Sequence, residues 1–175
     1  DGFRGTAMHN TLCIDGQDQA ISGGRFMWVR KYRSTVIERS TNRVLDKLVA
    51  EHDGYRRLPG KPIHRRSWEL DKLGDALVVR DEISGNRAQP VSLNWHFSEE
   101  CSVTCTPEGL LVANGPVNLE IILPPNGEVS LLRGSDTPLA GWVSRGYDRL
   151  VPSTTVAWRG SLEPGQELET RIKRV

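Results

Sequence analysis

The chain has 175 residues, 37% hydrophobic and 26% charged, with a net charge of +1. That is long enough for one domain with a core of its own, and no strongly basic stripe marks a nucleic-acid partner. No run of eighteen apolar residues predicts a membrane span, and no secretory leader is visible.

In chain order, residues 8–15 alternate loosely and end in Asp15-Gly16, a hairpin-turn dipeptide. Residues 17–20 resume the pattern, and Ser22-Gly23-Gly24 breaks it. Phe26, Trp28 and Val29 predict a short aromatic strand, and residues 35–41 are β-prone. Residues 44–52 are open between one or two helical turns, with Leu45, Leu48, Val49 and His52 on one face, and a strand. Residues 62–70 alternate, with His64, Arg66, Trp68 and Leu70 on one side and Ile63, Arg65, Ser67 and Glu69 on the other. Residues 76–83 predict a buried strand, followed by a Ser84-Gly85-Asn86 turn and an alternating strand over 90–97. Further strands are expected at 102–106, 110–113, 117–123, 129–132, 141–144, 154–158 and 167–172, separated by turns rich in Pro and Gly. About a dozen strands with no long helix predict an all-β antiparallel sandwich, one domain over 1–175.

Three cysteines are present, Cys13, Cys101 and Cys105. Across a strand, Cys101 and Cys105 would lie about 13 Å apart, too far for a disulfide, so free and mostly buried thiols are expected. The four histidines, His9, His52, His64 and His96, form no HxH or HExxH motif, so spacing alone predicts no metal site. His9-Asn10-Thr11 is the most chemical group: an imidazole and a carboxamide suited to an acidic sugar or a metal, or simply to capping backbone at a strand start. The five tryptophans offer a sugar platform, but strand spacing favours core packing for most of them.

Arg4-Gly5-Thr6-Ala7-Met8-His9-Asn10-Thr11, followed by Asp15-Gly16-Gln17-Asp18-Gln19, resembles the C-terminal β-domain of heparinase II/III-like polysaccharide lyases. Ala50-Glu51-His52-Asp53-Gly54-Tyr55 with His64-Arg65-Arg66 resembles a second block of that family. The resemblance is densest over residues 3–70 and favours a strand at 44–52. It implies that the chain is a fragment of a larger enzyme with an N-terminal α/α toroid. Such an enzyme cleaves heparin-, heparan sulfate- or alginate-like polysaccharides by β-elimination, and its compartment would be the periplasm or the exterior. The catalytic groups are then expected upstream and the isolated chain inactive. Arg4, His9, Asn10, Tyr55, His64, Arg65 and Arg66 become expected contacts to the acidic polysaccharide. The alternative reading of the histidine and arginine pair is structural, with salt bridges to Asp53, Glu69 or Asp71. His9 also corresponds to one zinc ligand of some full-length relatives, and no metal is expected in this fragment. His96 is expected in the core or at a strand edge. The rivals to the lyase reading are a non-catalytic carbohydrate-binding sandwich and a purely structural module.

Overall fold

The computed structural model describes residues 2–175. Two short 3-10 turns, Gly2–Arg4 and Thr6–Met8, lead into eighteen strands. The first six are β1 (Leu12–Ile14), β2 (Ile21–Ser22), β3 (Trp28–Arg30), β4 (Ser34–Thr41), β5 (Leu45–His52) and β6 (Ile63–Asp71). Next come β7 (Ala76–Ser84), β8 (Gln89–His96), β9 (Ser102–Thr106), β10 (Gly109–Asn114), β11 (Val117–Ile122) and β12 (Glu128–Arg133). The last are β13 (Ser135–Asp136), β14 (Leu139–Ala140), β15 (Trp142–Gly146), β16 (Arg149–Pro152), β17 (Thr154–Leu162) and β18 (Glu167–Arg174). The fold is all-β, as the strand spacing predicts. Strands beyond the expected dozen, such as β2, β13 and β14, are pieces of two residues, too short to leave an alternation in the sequence. The segment 44–52 forms strand β5 from Leu45 on, and residues 17–20 form an isolated bridge at Gln17 followed by a bend.

An eight-stranded antiparallel sheet runs β4-β5-β6-β7-β18-β11-β10-β9, and a four-stranded sheet runs β1-β8-β17-β12. Their inner faces share the core. Leu12, Ile14, Leu93, Trp158 and Leu162 of the small sheet pack with Ile83 and Leu168 of the large one. Val156 joins Leu110, Val112 and Ile121 in a second cluster. Two tryptophans, Trp95 and Trp158, are buried, while Trp28 is exposed. Trp158 lies where Gly127 and Gly160 leave it room; a Cβ on either would come within 2.1 or 2.5 Å of its ring. Its indole N–H donates to the Pro124 carbonyl (2.8 Å).

The outer face of the large sheet is a lattice of opposite charges. Arg80 pairs with Glu69 (2.8 Å) and Glu169 (3.0 Å), and Lys47 with Glu38 (3.0 Å). The cysteines are unpaired, but Cys105 is exposed and Cys101 half-buried, so only Cys13 meets the expectation of burial. Among the described residues no helix is long and apolar enough to cross a membrane.

Candidate functional site

The signature segment is tied down at the open edge of β1. Asp15 and Gly16 both have positive φ, 53° and 62°, which forms the tight turn expected of Asp-Gly. The turn brings Asp18 and Gln19 back to Thr6. The Thr6 N–H donates to Asp18 Oδ1 (2.6 Å), and the buried Thr6 hydroxyl accepts the Gln19 N–H (2.9 Å). Arg57 donates to the carbonyls of Gly54 and Asp18. A Cβ on Gly54 would lie 2.6 Å from the Gln19 carbonyl, so this close approach needs glycine.

Beside this clamp lies a cleft of about 790 Å³, lined among others by Arg4, His9, Trp28, Lys31, Tyr32 and Asp18. The Arg4 guanidinium stands 4.3 Å from the centre of the Trp28 ring and donates to the Gly24 carbonyl. That contact holds an exposed indole in place by its attraction for the cation. Tyr32 accepts a hydrogen bond from Gln19 Nε2 (3.0 Å) and packs against His52 (ring centres 5.1 Å apart).

Behind Tyr32 runs a polar chain, half-buried at His52 and buried at His64, Arg66 and Asp81. The Gly54 N–H donates to His52 Nδ1 (3.3 Å), which leaves the His52 proton on Nε2. His52 Nε2 then donates to His64 Nδ1 (3.1 Å), and His64 Nε2 donates to Asp81 Oδ1 (2.6 Å). Arg66 grips the same carboxylate through Nε (2.7 Å) and Nη2 (2.9 Å), and its Nη1 donates to the Asn10 carbonyl (2.5 Å). Asn10 Oδ1 in turn accepts the His96 N–H (2.7 Å). His96 bridges Thr155 Oγ1 and the Ala7 carbonyl, both at 2.9 Å.

Burial works to raise the Asp81 pKa, but the Arg66 charge and the hydrogen bond from His64 outweigh it and hold the carboxyl below its ordinary range. Burial, reinforced by the neighbouring His64, pushes His52 down to about 4. Burial likewise lowers the His96 pKa. Both imidazoles are therefore neutral at pH 7.

The expected contact residues separate into four places. Arg4 and His9 line the cleft. Asn10 is exposed at the signature turn, but its carbonyl and side-chain oxygen are both engaged. Tyr55, His64 and Arg66 are buried at 0%, 3% and 7% exposure. This corrects the expectation that they touch a sugar: the Tyr55 hydroxyl donates to the Leu12 carbonyl (3.2 Å) inside the core, where its ring is covered. Arg65 alternates onto the outer face of β6 and pairs with Glu51 (2.9 Å), away from its neighbours in sequence. The partners of this block are thus Glu51 and Asp81, not Asp53, Glu69 or Asp71.

The heparinase II/III-like, C-terminal, family model matches residues 1–173. This chain belongs to that family. No curated protein sequence matches it significantly. The heparan sulfate lyase HepC from Pedobacter heparinus has a similar fold, with a TM-score of 0.74, 19% identity, 99% of this chain covered and 25% of that one. A heparinase III crystal structure gives a TM-score of 0.73 at 18% identity, covering 99% of this chain and 24% of that one. A further heparinase III gene product gives 0.65 at 18% identity, covering 98% and 24%. The chain thus spans about a quarter of the length of these solved relatives.

In this heparinase II/III-like domain the residues present do not fit zinc by themselves. Among the described residues no three His, Cys, Asp or Glu side chains gather to hold a metal. His9 is the imidazole of the cleft, and Asp18 already accepts from Thr6. A tetrahedral site needs more. The cleft also uses Trp28, Lys31 and Tyr32, which motif reading did not single out as contacts. A compositional signal was available: residues 19–37 contain no Asp or Glu, but carry Arg25, Arg30, Lys31, Arg33 and three aromatic rings.

Proposed function

We propose that this chain is the C-terminal part of a polysaccharide lyase and supplies one wall of its substrate cleft. The observation that carries the reading is the juxtaposition of Arg4, His9 and Lys31 with Trp28 and Tyr32 around one open cleft, in a chain of this family. Cations suit a uronate carboxylate or a sulfate, and an exposed indole and phenol suit the apolar face of a sugar ring.

β-Elimination breaks the C5–H bond of the uronate. The electron pair forms the C4–C5 double bond, the C4–O4 bond breaks, and O4 leaves with a proton. The chemistry needs a base, a partner for the carboxylate and an acid. In this reading Arg4 and His9 steady the anion. The base and acid are expected from an N-terminal toroid, and zinc, where relatives carry it, from ligands added to His9.

The test is formation of unsaturated uronate on heparin, heparan sulfate and alginate, by the 175-residue chain and by the full-length gene product. Turnover is expected from the full-length protein and not from the isolated chain. Robust turnover by the isolated chain, or none by the full-length protein on any acidic polysaccharide, rejects the reading. The second reading is a non-catalytic glycan-binding module, favoured by the same aromatic and cationic lining. It predicts saturable binding with no turnover even when the full-length protein is used.

A further inference from the structure

The β2–β3 hairpin extends past the cleft in a way the cleft alone does not explain. Its two strands pair antiparallel, Ile21 with Arg30 and Ser22 with Trp28, and the Gly23 N–H donates to the Met27 carbonyl (3.0 Å) across the tip. Gly23 lets Met27 and Val29 fold over the tip, since a Cβ there would meet their side chains at 2.8 and 2.6 Å. Every residue from 23 to 43 is exposed, and Phe26 is completely so.

The charges on this arm differ from those on the large sheet. Arg65, Arg80 and Arg171 each face a carboxylate in the lattice. Among the described residues, Arg25, Arg30, Lys31 and Arg33 pair with none. The Asp53 carboxylate that meets this segment accepts the Arg33 backbone N–H (2.8 Å), and Asp18 faces Thr6. Four cations without counter-charges in nine residues repel one another, a cost that an anionic partner relieves.

We infer that the β2–β3 arm, Arg25 to Arg33, is a second glycan-binding element that grips the substrate outside the cleft and selects for its density of negative charge. The inference rests on the reading of the cleft as a glycan site. The two are continuous, because Trp28 and Lys31 belong to both. The nine residues from Arg25 to Arg33 span at most about 30 Å at ~3.3 Å each. A carboxylate-only polymer brings at most one charge per ring, whereas a sulfated uronate polymer brings more and matches four closely spaced cations better. Guanidinium groups bind sulfate through two parallel hydrogen bonds, and three of the four cations are arginines. Phe26 and Trp28 supply faces for the rings between the anions.

The experiment is calorimetric titration of the 175-residue chain with a heparin oligosaccharide, an alginate oligosaccharide of equal length, and single-stranded DNA, over a series of salt concentrations. The variant is R25A/R30A/R33A, and the charge-matched control is R171A/K173A/R174A on β18. Thermal melts check that both fold, as they should, since the arm residues are exposed. The arm variant should lose about tenfold or more in heparin affinity and change little toward alginate. Its dependence of log affinity on log salt should flatten by about two, because fewer counterions are released. The β18 control should behave as wild type.

Unchanged heparin binding by the arm variant overturns the inference, as does equal loss in the control. Preference for DNA over heparin also overturns it, since the arm would then be an undirected basic patch. Turnover by the full-length protein is read separately. Lost binding in the arm variant without any lyase activity removes the lyase reading and leaves the arm standing. Lyase activity with unchanged arm-variant binding removes the arm alone.

Discussion

Arg66 clasps Asp81 with two nitrogens, Nε at 2.7 Å from one carboxylate oxygen and Nη2 at 2.9 Å from the other, and both side chains are buried. The register of β6 on β7 places them directly opposite. The third arginine nitrogen reaches the Asn10 carbonyl, so one ion pair fastens the signature loop to the large sheet.

Replacing Asp81 by Asn leaves a buried guanidinium without a counter-charge. The expected loss is about 3–5 kcal/mol, read by urea unfolding of the 175-residue chain. The double variant Arg66→Met/Asp81→Leu should lose less than the single one, because no orphan charge remains. A double variant worse than D81N would mean that the tether to Asn10 matters more than the pair.

Acid should weaken the fold in two steps. His52 has its pKa depressed to about 4 from 6.5, so the unfolded chain binds the extra proton first. Its stabilisation is complete above pH 6.5 and is lost as the pH falls through about 4, a cost on the order of 3 kcal/mol. Asp81 is held below its ordinary 3.8, so its contribution is present above that pH and disappears further down. Urea midpoints between pH 7 and 4 should fall steeply for wild type and more gently for His52→Gln. Identical slopes would remove His52 as the source.

Much of this was legible in the sequence, and the exceptions have physical causes. The alternation over residues 62–70 puts His64, Arg66, Trp68 and Leu70 on one face, and β6 keeps that arrangement. Alternation separates two faces but does not say which is inward, and a face carrying His and Arg reads as the wet one. It is the buried one at His64 and Arg66, where Asp81 waits opposite, while Leu70 at the far end is exposed. Asp81 in turn stands within the run Ala76–Ile83, which reads correctly as a buried strand, and only the register reveals its partners. The hairpin β2–β3 is too short for periodicity, so nothing in the sequence pattern gathers its cations into a site. The Asp15-Gly16 turn, in contrast, needs only local chemistry and was readable directly.

Tyr55→Phe separates buried support from glycan contact. Losing the hydrogen bond to Leu12 should cost about 1 kcal/mol of stability. Heparin affinity should stay within twofold of wild type in the same titration. A tenfold loss of affinity with unchanged stability would return Tyr55 to the binding surface.

Gly127→Ala and Gly160→Ala each drive a methyl group into the Trp158 ring. Overpacking of this kind costs about 1–3 kcal/mol, visible as a lowered melting temperature. Trp158→Phe in the Gly127→Ala background should recover part of the loss, because the smaller ring vacates the contested space. No recovery would point to backbone strain instead.

β4 closes one side of the large sheet and hydrogen-bonds to β5 alone. Its pairing slips between Val36 and Glu38, leaving Ile37 as an extra residue that bends the strand. A foreign strand laid along this border would keep step up to Ile37 and then fall out of phase. The kink therefore works as a stop against edge-to-edge growth into fibres, in the segment that carries the exposed Val36 and Ile37. Deleting Ile37 to straighten the strand should make the domain more prone to aggregate while leaving its core untouched.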